Sequence, residues 1–242
     1  MMNKLIGFNR GSGAPPVGPG ASLVTSNLKF QVESDLPTFT ATLWTEQIAG
    51  RNLTQNGGMV APSVIAAGTP TGKDYMELSE YDGMFNNEFA EWEIPAGADA
   101  RTMYAVMRFK SAWPASFQGI MFGTSTLRRA FGITISSSGK AAGDFWGTSI
   151  ASTGNVNDDV WRVFTLTFDG TIATLYLNNS QVATGNPGVL NTARDKIYFN
   201  EALNNGTGKG FDVCAAHIYS EAHDVTKRTQ MFDYLNDKYI GV

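Results

Sequence analysis

From Leu28 onward, apolar and polar residues alternate with a period of two, and the alternating runs are separated by Gly, Asn and Ser. A period of two sends successive side chains to opposite faces, so these runs predict strands rather than helices. LKFQVE (28–33) alternates cleanly, and RTMYAVMRFK (101–110) is longer and more apolar, as a central strand requires. GIMFG, RAFGITIS, KIYFN and FDVCAAHIYS continue the series. VWRVFTLTFDGTIATLYLNNSQVATG (160–185) is the clearest stretch and reads as a three-strand meander. Phe164, Leu166 and Phe168 share one face, and Ala173, Leu175 and Leu177 share a face of the next strand. Asp169-Gly170 and Asn178-Asn179 are turn chemistry, because Gly, Asn and Asp tolerate positive φ and bond their own backbone.

The pattern changes twice. From about Asp224 to Lys238 the period becomes helical, with Asp224 as N-cap and Met231, Phe232, Leu235 and Tyr239 as an apolar stripe that would pack on the outside or rim of the sheets. Before about residue 25, Gly and Pro crowd the segment Gly11–Gly20, which can sustain neither helix nor ladder. Residues 1–25 are therefore expected to be a flexible arm with a short apolar tip at Leu5–Phe8, and residues 26–242 one domain.

Composition agrees with many short strands: 43% of the 242 residues are hydrophobic, 17% are charged, and there are 26 glycines. A net charge of -4 with no basic stripe argues against nucleic-acid binding, Arg128-Arg129 and Lys227-Arg228 being the basic doublets. No apolar run approaches the roughly 18 residues of a membrane span, and no secretory leader is read at the start. The single cysteine, Cys214, lies in a strand-like run and is expected to be a buried, inert thiol. The N-x-S/T triplets at Asn52, Asn178 and Asn205 are read as chance occurrences.

Candidate chemistry is sparse. There is no G-x-S-x-G, and His217 and His223 read as a satisfied sheet histidine and a helix-entry residue. GTPTGKD (68–74) is one residue short of a phosphate loop, and Asp74 stands where a hydroxyl is needed, so it reads as a turn, as does GTGKG (206–210). Trp113 in SAWPAS and Trp146 in GDFWGTS, the latter beside Asp144, are the candidate ligand-binding residues. Loop tryptophans serve either sugar stacking or protein interfaces. Trp44, Trp92 and Trp161 are expected in the core.

Several segments in order resemble the concanavalin A-like lectin/glucanase superfamily, specifically its laminin-G-like (LamG) type. They are LWTEQIAGRNLTQNGG (43–58), KDYMEL (73–78), WRVFTLTFDGTIATLYLNNSQV (161–182), and FDVCAAHIYS followed by MFDYLNDKYIGV. The resemblance covers about Leu28 to Val242 and implies an all-β, two-sheet antiparallel jelly-roll sandwich with a short C-terminal helix. It also implies a setting, a tailed-bacteriophage virion assembled in the host cytoplasm. There the chain would be a non-enzymatic capsid-decoration or head-fibre protein, tethered to major capsid or tail proteins through its arm and forming a homo-oligomer. The alternatives are a tail-fibre or baseplate module binding cell-surface glycans, and a glycoside hydrolase. For the hydrolase, Glu88, Glu91 and Glu93 are the nearest approach to the family's paired carboxylates, with the spacing reversed and the central Asp missing. Some family members carry Ca2+, and Asn157, Asp158 and Asp159 in GNVNDDVW are the candidate ligands here.

Overall fold

The structure, a computed structural model, describes residues 21–36, 39–55, 61–79, 82–86, 93–112, 118–200 and 210–242. In chain order the strands are β1 (Leu28–Glu33), β2 (Leu43–Thr45), β3 (Asn52–Gln55), β4 (Ser63–Ile65), β5 (Tyr75–Leu78), β6 (Met84–Asn86), β7 (Arg101–Arg108) and β8 (Gln118–Gly123). They continue as β9 (Ala130–Ile135), β10 (Lys140–Asp144), β11 (Ser149–Asn155), β12 (Arg162–Phe168), β13 (Ala173–Leu177), β14 (Ser180–Gly185), β15 (Lys196–Phe199) and β16 (Phe211–Tyr219). Helix α1 (Val225–Leu235) runs into a π-helical turn at Asn236–Ile240.

Two eight-stranded antiparallel sheets result. Sheet A runs β14-β13-β12-β7-β16-β5-β4, with β1 beside the second half of β16; sheet B runs β11-β10-β9-β8-β15-β6-β3-β2. This is the expected sandwich with a short C-terminal helix. The hairpin read from the sequence has the expected register, Phe164 opposite Leu177 and Phe168 opposite Ala173. Its turns are those expected: Asp169 Oδ1 accepts the N–H groups of Thr171 and Ile172 at 2.8 and 2.7 Å, and Asn178 and Asn179 have φ of 46° and 62°.

The main core lies between the sheets. Phe164, Leu166, Phe168 and Leu175 of sheet A meet Ile120, Phe122, Phe131 and Ile133 of sheet B, all with no exposed surface. Trp44 joins them and donates its indole N–H to the Glu33 carbonyl at 3.2 Å. The outer face of sheet A is also apolar, because α1 covers it. Met231, Leu235 and Tyr239 close on Tyr104, Val106, Val163, Cys214 and Tyr219 in a second buried cluster. Burial pushes the Cys214 thiol up, which makes it a poor nucleophile. Strands covered on both faces explain why β7 and β16 lack clean alternation in the sequence.

A polar cluster buried beneath the helix gathers on Glu33. Glu33, 1% exposed, takes His217 Nε2 at 2.8 Å and Tyr234 OH at 3.1 Å, and forms an ion pair with Lys238. His217 is thus a buried sheet histidine, as expected, but satisfied on one side only: Nε2 is bonded to Glu33 while Nδ1 has no hydrogen-bond partner. His223 packs against Tyr219 with the rings tilted by 54° and meets Tyr104 OH through Nδ1 at 2.8 Å, while Asp224 caps α1 by accepting from Lys227 N–H at 2.9 Å. Ala21 to Thr25 run along the same side: Val24 is 6% exposed and its carbonyl accepts from Tyr219 OH at 2.8 Å. The rest of the arm, residues 1–20, lies outside the described residues. Of the turns read at 68–74 and 206–210, the first is bonded as a turn through Thr69 N–H to the Lys73 carbonyl at 3.0 Å. All of the second except Gly210 lies outside the described residues.

Candidate functional site

While α1 covers sheet A, sheet B carries an irregular outer face whose residues can be followed strand by strand. In register, one row runs Ser149, Asp144, Gly132, Met121, Tyr198, Phe85 across β11, β10, β9, β8, β15 and β6. The flanking rows are Ala142, Thr134, Gly119 on one side and Ala130, Gly123, Lys196 on the other. The neighbouring positions Ile120, Phe122, Phe131, Ile133, Ile197 and Phe199 point into the main core, so these rows face away from it.

The centre of this face is made of small residues. A Cβ at Gly119 would lie 2.1 Å from the Ile133 carbonyl oxygen, and one at Gly123 2.2 Å from that of Arg129. Both positions have φ in the region L side chains avoid, 152° and 118°. Glycine is required there to let β8 approach β9, and the absence of side chains leaves a shallow trough.

Larger groups stand along the trough. On one side Phe85 and Tyr198 are stacked at 6.2 Å with an interplanar angle of 20°, and Lys196 Nζ lies 5.8 Å from the Tyr198 ring centre. On the other stands Trp146, half-buried and packed with Met121, Ala130 and Tyr198 in a third apolar cluster. Trp146 is held in a strained conformation, with φ of 59°, which a bulky residue seldom adopts. Its N–H donates to Asp144 Oδ1 at 2.8 Å and its carbonyl accepts from Arg128 N–H at 3.0 Å. The loop closes through Phe145 N–H to the Thr148 carbonyl at 2.9 Å.

Asp144 is 9% exposed; burial raises its carboxyl above the ordinary value, while the N–H groups of Trp146 and Phe145 pull the other way. Thr134 Oγ1, also on this face, is buried with no hydrogen-bond partner. The trough therefore offers aromatic surface and a carboxylate around a floor of Gly119, Gly123, Gly132 and Met121. That combination suits a flat, hydroxyl-rich ligand that stacks on rings and trades hydrogen bonds. Asp144 is the carboxylate on these rows among the described residues, whereas glycoside hydrolysis needs two set across the bond.

The other candidates are placed elsewhere. Trp113 lies outside the described residues; the chain reaches Ala112 at the opposite end of the sandwich from Trp146. Glu88, Glu91 and Trp92 also lie outside them, and Glu93 pairs with Lys29 at 3.2 Å. The Ca2+ candidates stand between β11 and β12, at the end away from Trp146. Both Asp158 oxygens are held by Arg162 at 2.6 Å, Asp159 accepts from Ser111, and Asn157 Oδ1 lies against Gly139. The aspartate oxygens are turned to protein donors, and no group of three or more His, Cys, Asp or Glu gathers among the described residues.

Sequence reasoning found Asp144 and Trp146 because they are neighbours in the chain. It missed Phe85, Met121, Thr134, Lys196 and Tyr198, which only the strand register brings alongside.

No family model and no curated protein matches the chain. Solved structures do. Domain 4 of AbnA, an extracellular arabinanase from Geobacillus stearothermophilus in complex with arabinotriose, superposes with a TM-score of 0.58 at 12% identity, over 85% of this chain and 98% of that one. The binding domain of Paraclostridial Mosquitocidal Protein 1 gives 0.59 at 13% identity, over 85% of this chain and 52% of that one. Trypanosoma rangeli sialidase in complex with the inhibitor DANA gives 0.64 at 12% identity, over 91% of this chain and 35% of that one. The chain thus spans about half of the toxin domain and about a third of the sialidase. At these identities the likeness is one of fold: the chain shares its β-sandwich architecture with binding and carbohydrate-active proteins.

Proposed function

We propose that this chain is a non-enzymatic carbohydrate-binding module, held by its N-terminal arm and presenting the outer face of sheet B to the ligand. The observation that carries the reading is Trp146, a half-exposed indole on a strained backbone that is bonded on both sides, beside a buried carboxylate and the stacked pair Phe85–Tyr198. A ring carried on a fixed backbone and packed against Met121, Ala130 and Tyr198 loses less entropy when a sugar stacks on it. Architectural likeness to an arabinanase domain solved with arabinotriose supports the same ligand class.

The non-enzymatic part rests on how the described carboxylates are spent. Glu33 is bound to His217 and Lys238, Asp212 to Arg108 and Lys110, and Asp158 to Arg162. The tether is supported by where the chain enters: Ser22 and Val24 are bonded to α1 and β16 on the far side of sheet A, so a particle attached there would leave sheet B facing outward. A phage virion is the setting drawn from the sequence resemblance, and it would make the module a capsid or tail display protein.

The test is a glycan array probed with the full chain and with Trp146→Ala and Tyr198→Ala. Binding of at least one oligosaccharide class, weakened about tenfold or more by each substitution without loss of fold, is the expected result. Binding indifferent to both changes would refute the site. Polysaccharide cleavage that is lost on Glu91→Gln would refute the non-enzymatic reading. Deleting residues 1–20 is expected to abolish incorporation into particles while the sandwich stays folded.

A further inference from the structure

Resting on that carbohydrate-binding reading, we infer that the sugar taken by sheet B is anionic, and that Arg128 and Arg129 recognise its carboxylate or phosphate. Both residues lie in the β8–β9 connection, which meets the Trp146 loop at one end of the trough.

Their backbone is fixed from several directions. Arg128 N–H donates to the Trp146 carbonyl at 3.0 Å, and its own carbonyl accepts from Asn191 N–H at 2.9 Å. The Arg129 carbonyl accepts from Thr124 and Ala193 N–H, both at 3.1 Å. Arg128 has φ of 59°, a second strained residue bonded directly to the first. Strain at a pinned, solvent-facing loop is a mark of function rather than of stability.

The side chains, by contrast, are unspent. Both arginines are exposed, and neither guanidinium takes a hydrogen bond or an ion pair among the described residues. The head of Arg128 rests close to Gly188. A Cβ at Gly188 would fall 2.7 Å from Arg128 Cζ and 2.9 Å from its Nη1, so the residue there must be glycine for Arg128 to rest where it does. A planar fork with its donors open is built for a carboxylate or phosphate.

Local charge points the same way. The chain as a whole carries -4, yet Arg194 is also exposed at this end and Lys196 stands on the adjacent row. Asp195, between them, is half-buried, and Asp144 is buried and engaged with backbone N–H groups. A neutral sugar would have no use for two exposed guanidinium groups at this end of the trough.

Titration calorimetry on the full chain separates the outcomes, with three probes: an oligogalacturonate, a poly(glycerol phosphate) and a neutral arabino-oligosaccharide. One of the acidic probes is expected to bind at least tenfold more tightly than the neutral one in 50 mM salt. That advantage should shrink as salt is raised to about 0.5 M, where the screening length is only a few ångström. Arg128→Gln/Arg129→Gln should remove the same tenfold and leave neutral-probe affinity alone. Gly188→Ala, which displaces the Arg128 head, should weaken acidic binding selectively, with thermal unfolding confirming the fold. Whether carboxylate or phosphodiester wins identifies the source of the charge. Acidic binding unchanged in the double variant, with neutral binding still lost on Trp146→Ala, would overturn the anionic inference and leave the carbohydrate reading standing. Failure of the wild-type chain to bind any of the three would overturn both.

Discussion

Replacing Glu33 with Gln tests how the helical layer is held to sheet A. The Glu33 carboxylate lies at the end of β1, 1% exposed, among His217 Nε2, Gln31 Nε2, Tyr234 OH and the Lys238 ammonium. An amide there turns one acceptor oxygen into a donor facing donors and leaves Lys238 without its closest counter-ion. Stripping one partner from a buried ion pair costs about 3–5 kcal/mol. The Lys238 side chain is 20% exposed and also reaches Asp35 at 3.1 Å, so the lower end applies, about 3 kcal/mol. Urea unfolding at pH 7, followed by tryptophan fluorescence, should show that loss with an unchanged m-value. The loss should also depend on pH. Burial alone would raise the Glu33 carboxyl, but His217 and Lys238 outweigh it and hold the group well below its ordinary 4.5. A depressed carboxylate stabilises the fold above its unfolded pKa, and that stability is lost as pH falls below it. The gap between wild type and Glu33→Gln should therefore narrow from pH 5 to pH 3. A loss under about 1 kcal/mol at pH 7, or a gap of constant size down to pH 3, would refute the reasoning.

His223 acts in a different window. Burial lowers its pKa from 6.5 to about 4, so the unfolded chain takes up a proton first and stability falls as pH drops through that interval, by up to about 3 kcal/mol; His223→Gln should flatten the slope of stability between pH 7 and pH 4. Gly143→Ala would put a Cβ 2.6 Å from Leu166 Cδ1, an overpacking that costs about 1–3 kcal/mol. Combining it with Leu166→Val should cost less than the two single changes added together, and strict additivity in thermal unfolding would show that the contact does not matter. Cys214 is wholly buried with its thiol pushed up, so a thiol reagent such as DTNB should react on the timescale of unfolding and no faster.

What could be read from the chain depended on how local the cause was. The β12–β13 hairpin was legible because its register is set by adjacent residues: the Asp169-Gly170 turn and the alternation of Phe164, Leu166 and Phe168. The helix was legible from the Met231–Tyr239 spacing, but its ending in a π-helical turn was not, since that turn places Tyr239 against a sheet 20 residues and more away in sequence. Glu33 carries no signal of its own at the end of LKFQVE. Its burial follows from Lys238 and His217, about 200 positions further along, which no period reveals. The trough was illegible for the same reason. Gly119, Gly123 and Gly132 sit in GIMFG and RAFGITIS, which read as strands, and only the pairing of β8 with β9 shows them to be one surface.

β16 imposes an order on the birth of this molecule. It pairs with β7 along one side and with both β5 and β1 along the other, and it is the last strand in the chain. Until residues 211–219 emerge, sheet A exists as three separate pieces, and Leu28 waits for Tyr219. A chain stalled on the ribosome before Phe211 would not be a smaller sandwich. It would be an open one, with the N-terminal strand and the long apolar β7 each exposing an unpaired edge. Emergence of residues 211–219 is thus the step that commits the sandwich to its fold, and whatever holds the arm before then holds an unfinished molecule.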